Sequence, residues 1–177
     1  MEPVGKIIFY QDHNFQGDYF ECSSDCPELN SHLRRCNSVR VKSGAWVLFE
    51  RPNYLGNQYV LTKGEYPDFR QRMGLTDSVR SCHVIPNVSG AFRIRVFEHP
   101  DFAGQMLECT QDVTQLSDLW YQGAVHSAQV QDGAWVFYDL PNYRGHQYLL
   151  ERGQYRRYTE WAAMDPTVGS LRRVLAV

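Results

Sequence analysis

The sequence predicts an all-β protein of two domains, each a β-sandwich of two Greek-key motifs, giving four motifs in an ABAB order. Three observations carry this. Short alternating apolar runs are separated by Gly, Asn, Asp and Pro, while helix signals are scarce. One eight-residue stretch occurs four times: Tyr10 to Gly17, Phe49 to Gly56, Phe97 to Gly104 and Tyr138 to Gly145. Each copy reads aromatic, polar, two variable residues, Asn or Asp, aromatic, one variable residue, Gly. The spacing of the copies then pairs them: the glycines lie at 17, 56, 104 and 145, so the longest gap falls between the second and third.

Taken in order, Lys6 to Gln11 reads as the first strand, with Ile7 and Phe9 on one face. A turn follows, in which Gly17 takes a positive φ closed to residues with a β-carbon, as do Gly56, Gly104 and Gly145 in their copies. The two aromatics of each copy are expected to pack across the folded hairpin. Asp18 to Cys22 is the next strand and Asn37 to Val41 closes the first motif. The second motif restarts at Ala45-Trp46-Val47-Leu48-Phe49 and closes with Asp77 to Cys82. The third closes with Val125 to Val130 and the fourth with Gly169 to Val174. A serine follows each motif glycine at a similar distance: Ser38, Ser78, Ser127 and Ser170. The expected role is a hydroxyl that ties the closing strand to the hairpin backbone.

The domain boundaries follow. Residues 1–84 form the first domain, with Greek keys 6–44 and 45–84. Residues 85–91, which hold Pro, Asn, Ser and Gly, form the linker. Residues 92–177 form the second, with Greek keys 92–132 and 134–175. Motifs two and four share Gly64-Glu65-Tyr66 and Gly153-Gln154-Tyr155, which makes Tyr66 and Tyr155 the tyrosine-corner candidates. A motif that cannot bury its apolar face alone pairs with its neighbour.

Strand parity gives a further expectation. With Trp46 and Leu48 pointing inward, Val47 points out, and Val136 does the same between Trp135 and Phe137. Val60 and Leu149 also point out. Val47 and Val136, Val60 and Leu149, and Ile85 and Val174 are each 89 residues apart. Two corresponding outward apolar triplets are expected to cover one another in a pseudo-twofold domain interface, with motifs two and four facing each other.

Composition excludes several function classes. Of 177 residues, 43% are hydrophobic and 21% charged, as in ordinary globular proteins. Net charge is −2 and evenly spread, so no basic patch points to nucleic acid or an anionic membrane. No apolar run approaches the roughly 20 residues of a membrane helix, and the first residues show no secretion signal. Five cysteines, an odd number, read as reduced thiols of a cytoplasmic protein: Cys22, Cys26, Cys36, Cys82 and Cys109. Cys22, Cys26 and Cys109, where exposed, are open to oxidative cross-linking. Six scattered histidines and the absence of Gly-x-Ser-x-Gly, Walker and His-Glu-x-x-His patterns argue against an enzyme, and no catalytic, cofactor or metal residue is assigned.

The four motifs, each with its later serine, resemble the signature of the βγ-crystallin superfamily over the whole chain. Arg35-Cys36-Asn37-Ser38, Glu50-Arg51-Pro52-Asn53-Tyr54, Gly64-Glu65-Tyr66-Pro67, Tyr155-Arg156-Arg157-Tyr158 and Val168-Gly169-Ser170-Leu171-Arg172-Arg173-Val174 are similar to segments of its vertebrate lens gamma branch. The resemblance implies a cytoplasmic, monomeric structural protein of eye-lens fibre cells, serving transparency and refractive index. It implies no cofactor, no obligatory partner and only weak contacts with other crystallins. It also implies a buried Trp in each motif. Trp46, Trp135 and Trp161 fit, but the place in motif two holds Arg72 and the fourth Trp is Trp120. The alternative is a calcium-binding module of the microbial type, which needs Asn/Asp-Asn/Asp-x-x-Ser/Thr-Ser. The windows ending at Ser38, Ser78, Ser127 and Ser170 lack the leading pair, and only Asp165 remains of it.

Overall fold

A computed structural model describes residues 5–68, 79–86, 90–120 and 123–175. The chain divides into two compact units, Met1–Pro86 with Leu175–Val177, and Asn87–Val174.

The first unit begins with β1 (Lys6–Tyr10), β2 (Tyr19–Cys22) and β3 (Ser38–Ser43), followed by β4 (Ala45–Arg51), β5 (Leu55–Leu61), β6 (Gly64–Tyr66) and β7 (Ser81–Ile85). One sheet has the order β2-β1-β3-β6, and the other strands run β5-β4-β7. The second unit repeats the plan with β8 (Arg93–His99), β9 (Ala103–Cys109), β10 (Ser127–Asp132), β11 (Trp135–Leu140), β12 (Arg144–Leu150), β13 (Gly153–Tyr155) and β14 (Ser170–Arg173). Its sheet order is β13-β10-β8-β9, with β14-β11-β12 opposite. All named pairings are antiparallel.

The motifs exchange strands. β6 belongs to motif two by sequence, yet it pairs with β3 of motif one, with Val39 opposite Tyr66 and Val41 opposite Gly64. In return, Cys26 of motif one bridges Cys82 in β7 of motif two. The second unit repeats both halves of the exchange: β13 pairs β10, and Val113 bridges Leu171. Two Greek keys thus interlock into one sandwich.

The core follows from strand alternation. In the first unit Ile7, Phe9, Val39 and Val41 of one sheet meet Trp46, Leu48, Leu61 and Cys82 of the other. In the second, Ile94, Val96, Ala128 and Val130 meet Trp135, Phe137, Leu150 and Leu171. Trp46 and Trp135 are both fully buried, and each indole N–H donates to a backbone carbonyl three residues back, on Ser43 at 3.2 Å and Asp132 at 3.3 Å. That bond removes the cost of burying a lone indole donor. Trp161 and Trp120 are also buried in the second core, and Trp120 donates to the Ala124 carbonyl at 2.8 Å. Arg72 lies outside the described residues.

The closing strand of motif two differs from expectation. It runs over Ser81–Ile85, three to four residues later than the Asp77 to Cys82 reading. The physical reason is the sandwich face: this register buries Cys82 beside Leu48 and pairs Ile85 with Ala45.

Candidate functional site

The repeated hairpin is the structural device of the chain. In each copy the Asn or Asp and the aromatic after it both adopt left-handed backbone angles: Asn14 and Phe15, Asn53 and Tyr54, Asp101 and Phe102, Asn142 and Tyr143, all with φ between 57° and 62°. Asn and Asp tolerate this region better than other residues with a β-carbon, which explains the fifth motif position. The glycine two residues later is also positive in φ, 84° at Gly56 and 85° at Gly145. A β-carbon at Gly56 would lie 2.6 Å from the Glu50 carboxylate. The two motif aromatics meet edge-on or tilted, with ring centroids 5.5–5.7 Å apart in all four copies.

Two consecutive left-handed residues are strained and persist only where the surroundings hold them. A fully buried serine does this in every motif. The Phe15 N–H donates to Ser38 Oγ at 2.9 Å, and that hydroxyl donates to the Asp12 carbonyl. Ser127 accepts from the Phe102 N–H at 3.0 Å and donates to His99 O at 2.6 Å. Ser170 accepts from the Tyr143 N–H at 3.0 Å and donates to Leu140 O at 2.7 Å. In motif two the tie is Ser81, not Ser78. Ser81 accepts from the Tyr54 N–H at 3.0 Å and donates to Arg51 O at 2.6 Å. Ser78 lies outside the described residues. The 89-residue offset that relates Ile85 to Val174 also relates Ser81 to Ser170, and would have found it.

Arginine covers two of the hairpins. Two residues beyond the serine, the Arg40 guanidinium lies 4.0 Å from the Phe15 ring centre, and Arg172 lies 3.7 Å from that of Tyr143. A cation this close to a ring face suits the delocalised, weakly hydrated guanidinium better than a lysine ammonium.

Tyr66 and Tyr155 sit at the ends of the exchanged strands. The Tyr66 hydroxyl donates to the Thr62 carbonyl at 2.8 Å. The Tyr155 hydroxyl donates to Glu151 O at 3.1 Å and accepts from Glu151 N–H at 2.9 Å. Each pins the bend that delivers its strand to the other motif's sheet.

Within its own unit, Val47 is the direct cross-strand neighbour of Val60, and Val136 of Leu149. Ile85 pairs with Ala45, and the Val174 N–H donates to Ala134 O at 2.9 Å. None of the six belongs to the core cluster of its unit.

The five cysteines are free thiols. Cys22 and Cys109 are buried, and Cys26 alone is half-exposed. Burial pushes the Cys36 thiol up to about 12 and Cys109 up to about 11, so both stay protonated and unreactive. The histidines are held singly. His83 pairs with Asp25 at 2.9 Å and His146 with Asp139 at 2.8 Å, while His32 stacks on Phe20 with centroids 4.0 Å apart. Asp165 accepts from the Thr167 N–H at 2.9 Å, which lowers its pKa. Among the described residues no group of three or more His, Cys, Asp or Glu is arranged to hold a metal ion. Among them, too, no helix is long and apolar enough to cross a membrane.

Comparison with known proteins gives a consistent result. A family model described as Beta/Gamma crystallin matches residues 6–85 and 93–174. Gamma-crystallin B of Canis lupus familiaris is 56% identical over 172 residues, covering 97% of this chain and 98% of that protein. Gamma-crystallin D of Bos taurus is 55% identical over 174 residues, covering 98% and 99%. Gamma-crystallin M2 of Chiloscyllium indicum is 50% identical over 172 residues, covering 97% and 98%.

Proposed function

Because the chain belongs to the Beta/Gamma crystallin family, we propose that it is a structural constituent of the eye lens, non-catalytic, held in the cytoplasm of lens fibre cells. The observation that carries this reading is the 56% identity to a gamma-crystallin across nearly the full length of both chains. The physical task is to stay folded and dispersed at high concentration and to raise the refractive index. Four hairpins with buried hydroxyl ties suit the first requirement. A surface with three lysines among 18 basic residues suits the second, since arginine and aromatic groups are polarisable.

Quantitative proteomics of dissected tissue is the test. The protein is expected among the abundant soluble species of lens fibre extracts, and its absence there would overturn the assignment. Refractometry is the second arm: an increment no higher than that of ordinary globular proteins would count against the optical role.

On the same reading the outward triplets Val47, Val60, Ile85 and Val136, Leu149, Val174 are the faces by which the domains cover one another in a monomer, with no obligatory partner. The calcium alternative has no observation that favours it here. Isothermal titration decides it, with a saturable midpoint below about 100 μM as the result that would restore it.

A further inference from the structure

Three cations meet on the outer face of the first unit, at the seam where the motifs exchange strands. A groove of about 210 Å³ along the β3–β6 pair is lined by Arg40, Val41, Lys42, Lys63, Gly64 and Glu65. Residues 40 and 42 belong to motif one and residue 63 to motif two, so only the exchange of β6 brings them together. The even spread of charge along the sequence hides this cluster.

The register makes the arrangement unfavourable in itself. Arg40 lies opposite Glu65 and Val41 opposite Gly64, so the next step places Lys42 opposite Lys63. Like charges directly across a pair of strands are destabilising. Lysine is also scarce: the chain has three, and two of them line this groove. The third, Lys6, is paired with Glu21 at 2.7 Å. Among the described residues Lys42 and Lys63 have no ion-pair partner.

The second unit shows that the fold does not ask for these charges. There Gln129 lies opposite Gln154 and Val130 opposite Gly153, so Gln131 and Arg152 stand where Lys42 and Lys63 stand in the first unit. One cation takes the place of three, and Gln129 and Gln154 hydrogen-bond across the strands at 3.0 Å.

Arg40 is the fixed member of the cluster. Its guanidinium lies 4.0 Å from the Phe15 ring centre, and its Nη1 donates to the Tyr10 hydroxyl at 3.4 Å. Glu65 neutralises it weakly. The Arg40 Nε and Glu65 Oε1 are 3.3 Å apart without a hydrogen bond, and the glutamate side chain is 66% exposed. Three cations against one carboxylate leave the groove with positive charge in excess.

We propose that this groove binds a small phosphate anion, a diphosphate group in particular, seated between Lys42 and Lys63 with Arg40 as its third contact. A planar guanidinium and two ammonium groups are the donors that recognise phosphate oxygens, and a diphosphate offers each of them a separate anionic oxygen. The volume is below the roughly 300–1,000 Å³ of a site for a drug-sized molecule. None of the exposed large apolar side chains lines the groove, so the ligand is a free phosphate compound and not a lipid headgroup, whose capture also needs apolar contact with the membrane. The bound anion removes the repulsion between the two lysines. Because it binds only the folded state, it stabilises the first unit.

The test titrates pyrophosphate into the native full chain and follows amide NMR shifts, with sodium sulfate at equal ionic strength as the screening control. Saturable shifts are expected at residues 40–42 and 63–65, with a Kd below about 10 mM, and none at 129–131 and 152–154. Lys42→Gln and Lys63→Gln are each expected to weaken binding about 2- to 5-fold, and the double variant to abolish it. Glu65→Gln is expected to tighten binding, while Arg152→Gln matches the wild type. Pyrophosphate is expected to raise the urea midpoint of the first unit in the wild type and not in the double variant. Without ligand, Lys42→Gln is expected to be at least as stable as the wild type. Shifts that do not saturate, an equal response to sulfate, or unchanged binding in the double variant would each overturn the proposal. So would flotation with vesicles of phosphatidylcholine and phosphatidylserine in the absence of any response to pyrophosphate. A loss of stability in ligand-free Lys42→Gln would likewise overturn it, because the lysine would then serve the fold and not a ligand.

Discussion

Ser81 shows how much one hydroxyl does in this fold. It is fully buried and satisfies both an N–H and a carbonyl in a hairpin whose backbone is strained. Replacing it with alanine leaves both groups without their partner at a buried site. Ser81→Ala is therefore expected to destabilise the first unit by about 1–3 kcal/mol, and Ser78→Ala by much less. Urea unfolding of the two variants checks this; equal losses would remove the assignment of the tie to Ser81. The same logic orders the cysteines: reactivity follows access and hydrogen bonding and not their number, so Cys36 and Cys109 are expected to stay inert.

Among the elements, β6 and β13 matter out of proportion to their three residues. Each crosses to the sheet of the preceding motif and makes the two Greek keys one body. The bend that allows β13 to cross is closed by the Tyr155 hydroxyl, which both donates to and accepts from Glu151. Tyr155→Phe keeps the ring and removes both bonds. The expected loss is about 1 kcal/mol for the second unit, seen as a lower denaturation midpoint with an unchanged slope. A fragment holding motif one alone lacks β6 and is expected to give a circular dichroism spectrum of an unfolded chain; a folded fragment would show the exchange to be dispensable.

For the molecule, the repeat of 89 residues makes the two outward triplets equivalent. Leu149→Ala removes apolar area from one of them without touching either core cluster. It is expected to lower the unfolding midpoint of at least one domain by an amount equivalent to roughly 1–3 kcal/mol, with both folds unchanged by circular dichroism. Unchanged midpoints for both domains would sink the docking role of the triplets.

The all-β class, the four motifs and their pairing were legible in the sequence, because they rest on period-two alternation and on turn residues that few side chains can replace. Gly56 and Asn53 announce a left-handed backbone wherever they stand. The family was legible for the same reason, since its signature is local. Three things were decided only by tertiary structure. The tie in motif two is Ser81, because the register of β7 is set by burying Cys82 against Leu48 and not by distance from the glycine. The exchange of β6 and β13 depends on pairing across motifs, for which short segments such as Gly64–Tyr66 carry no local code. The meeting of Cys26 with Cys82 is the return half of that interlocking. Residues 26 and 82 lie far apart along the chain, and only the interlocked sandwich makes them neighbours.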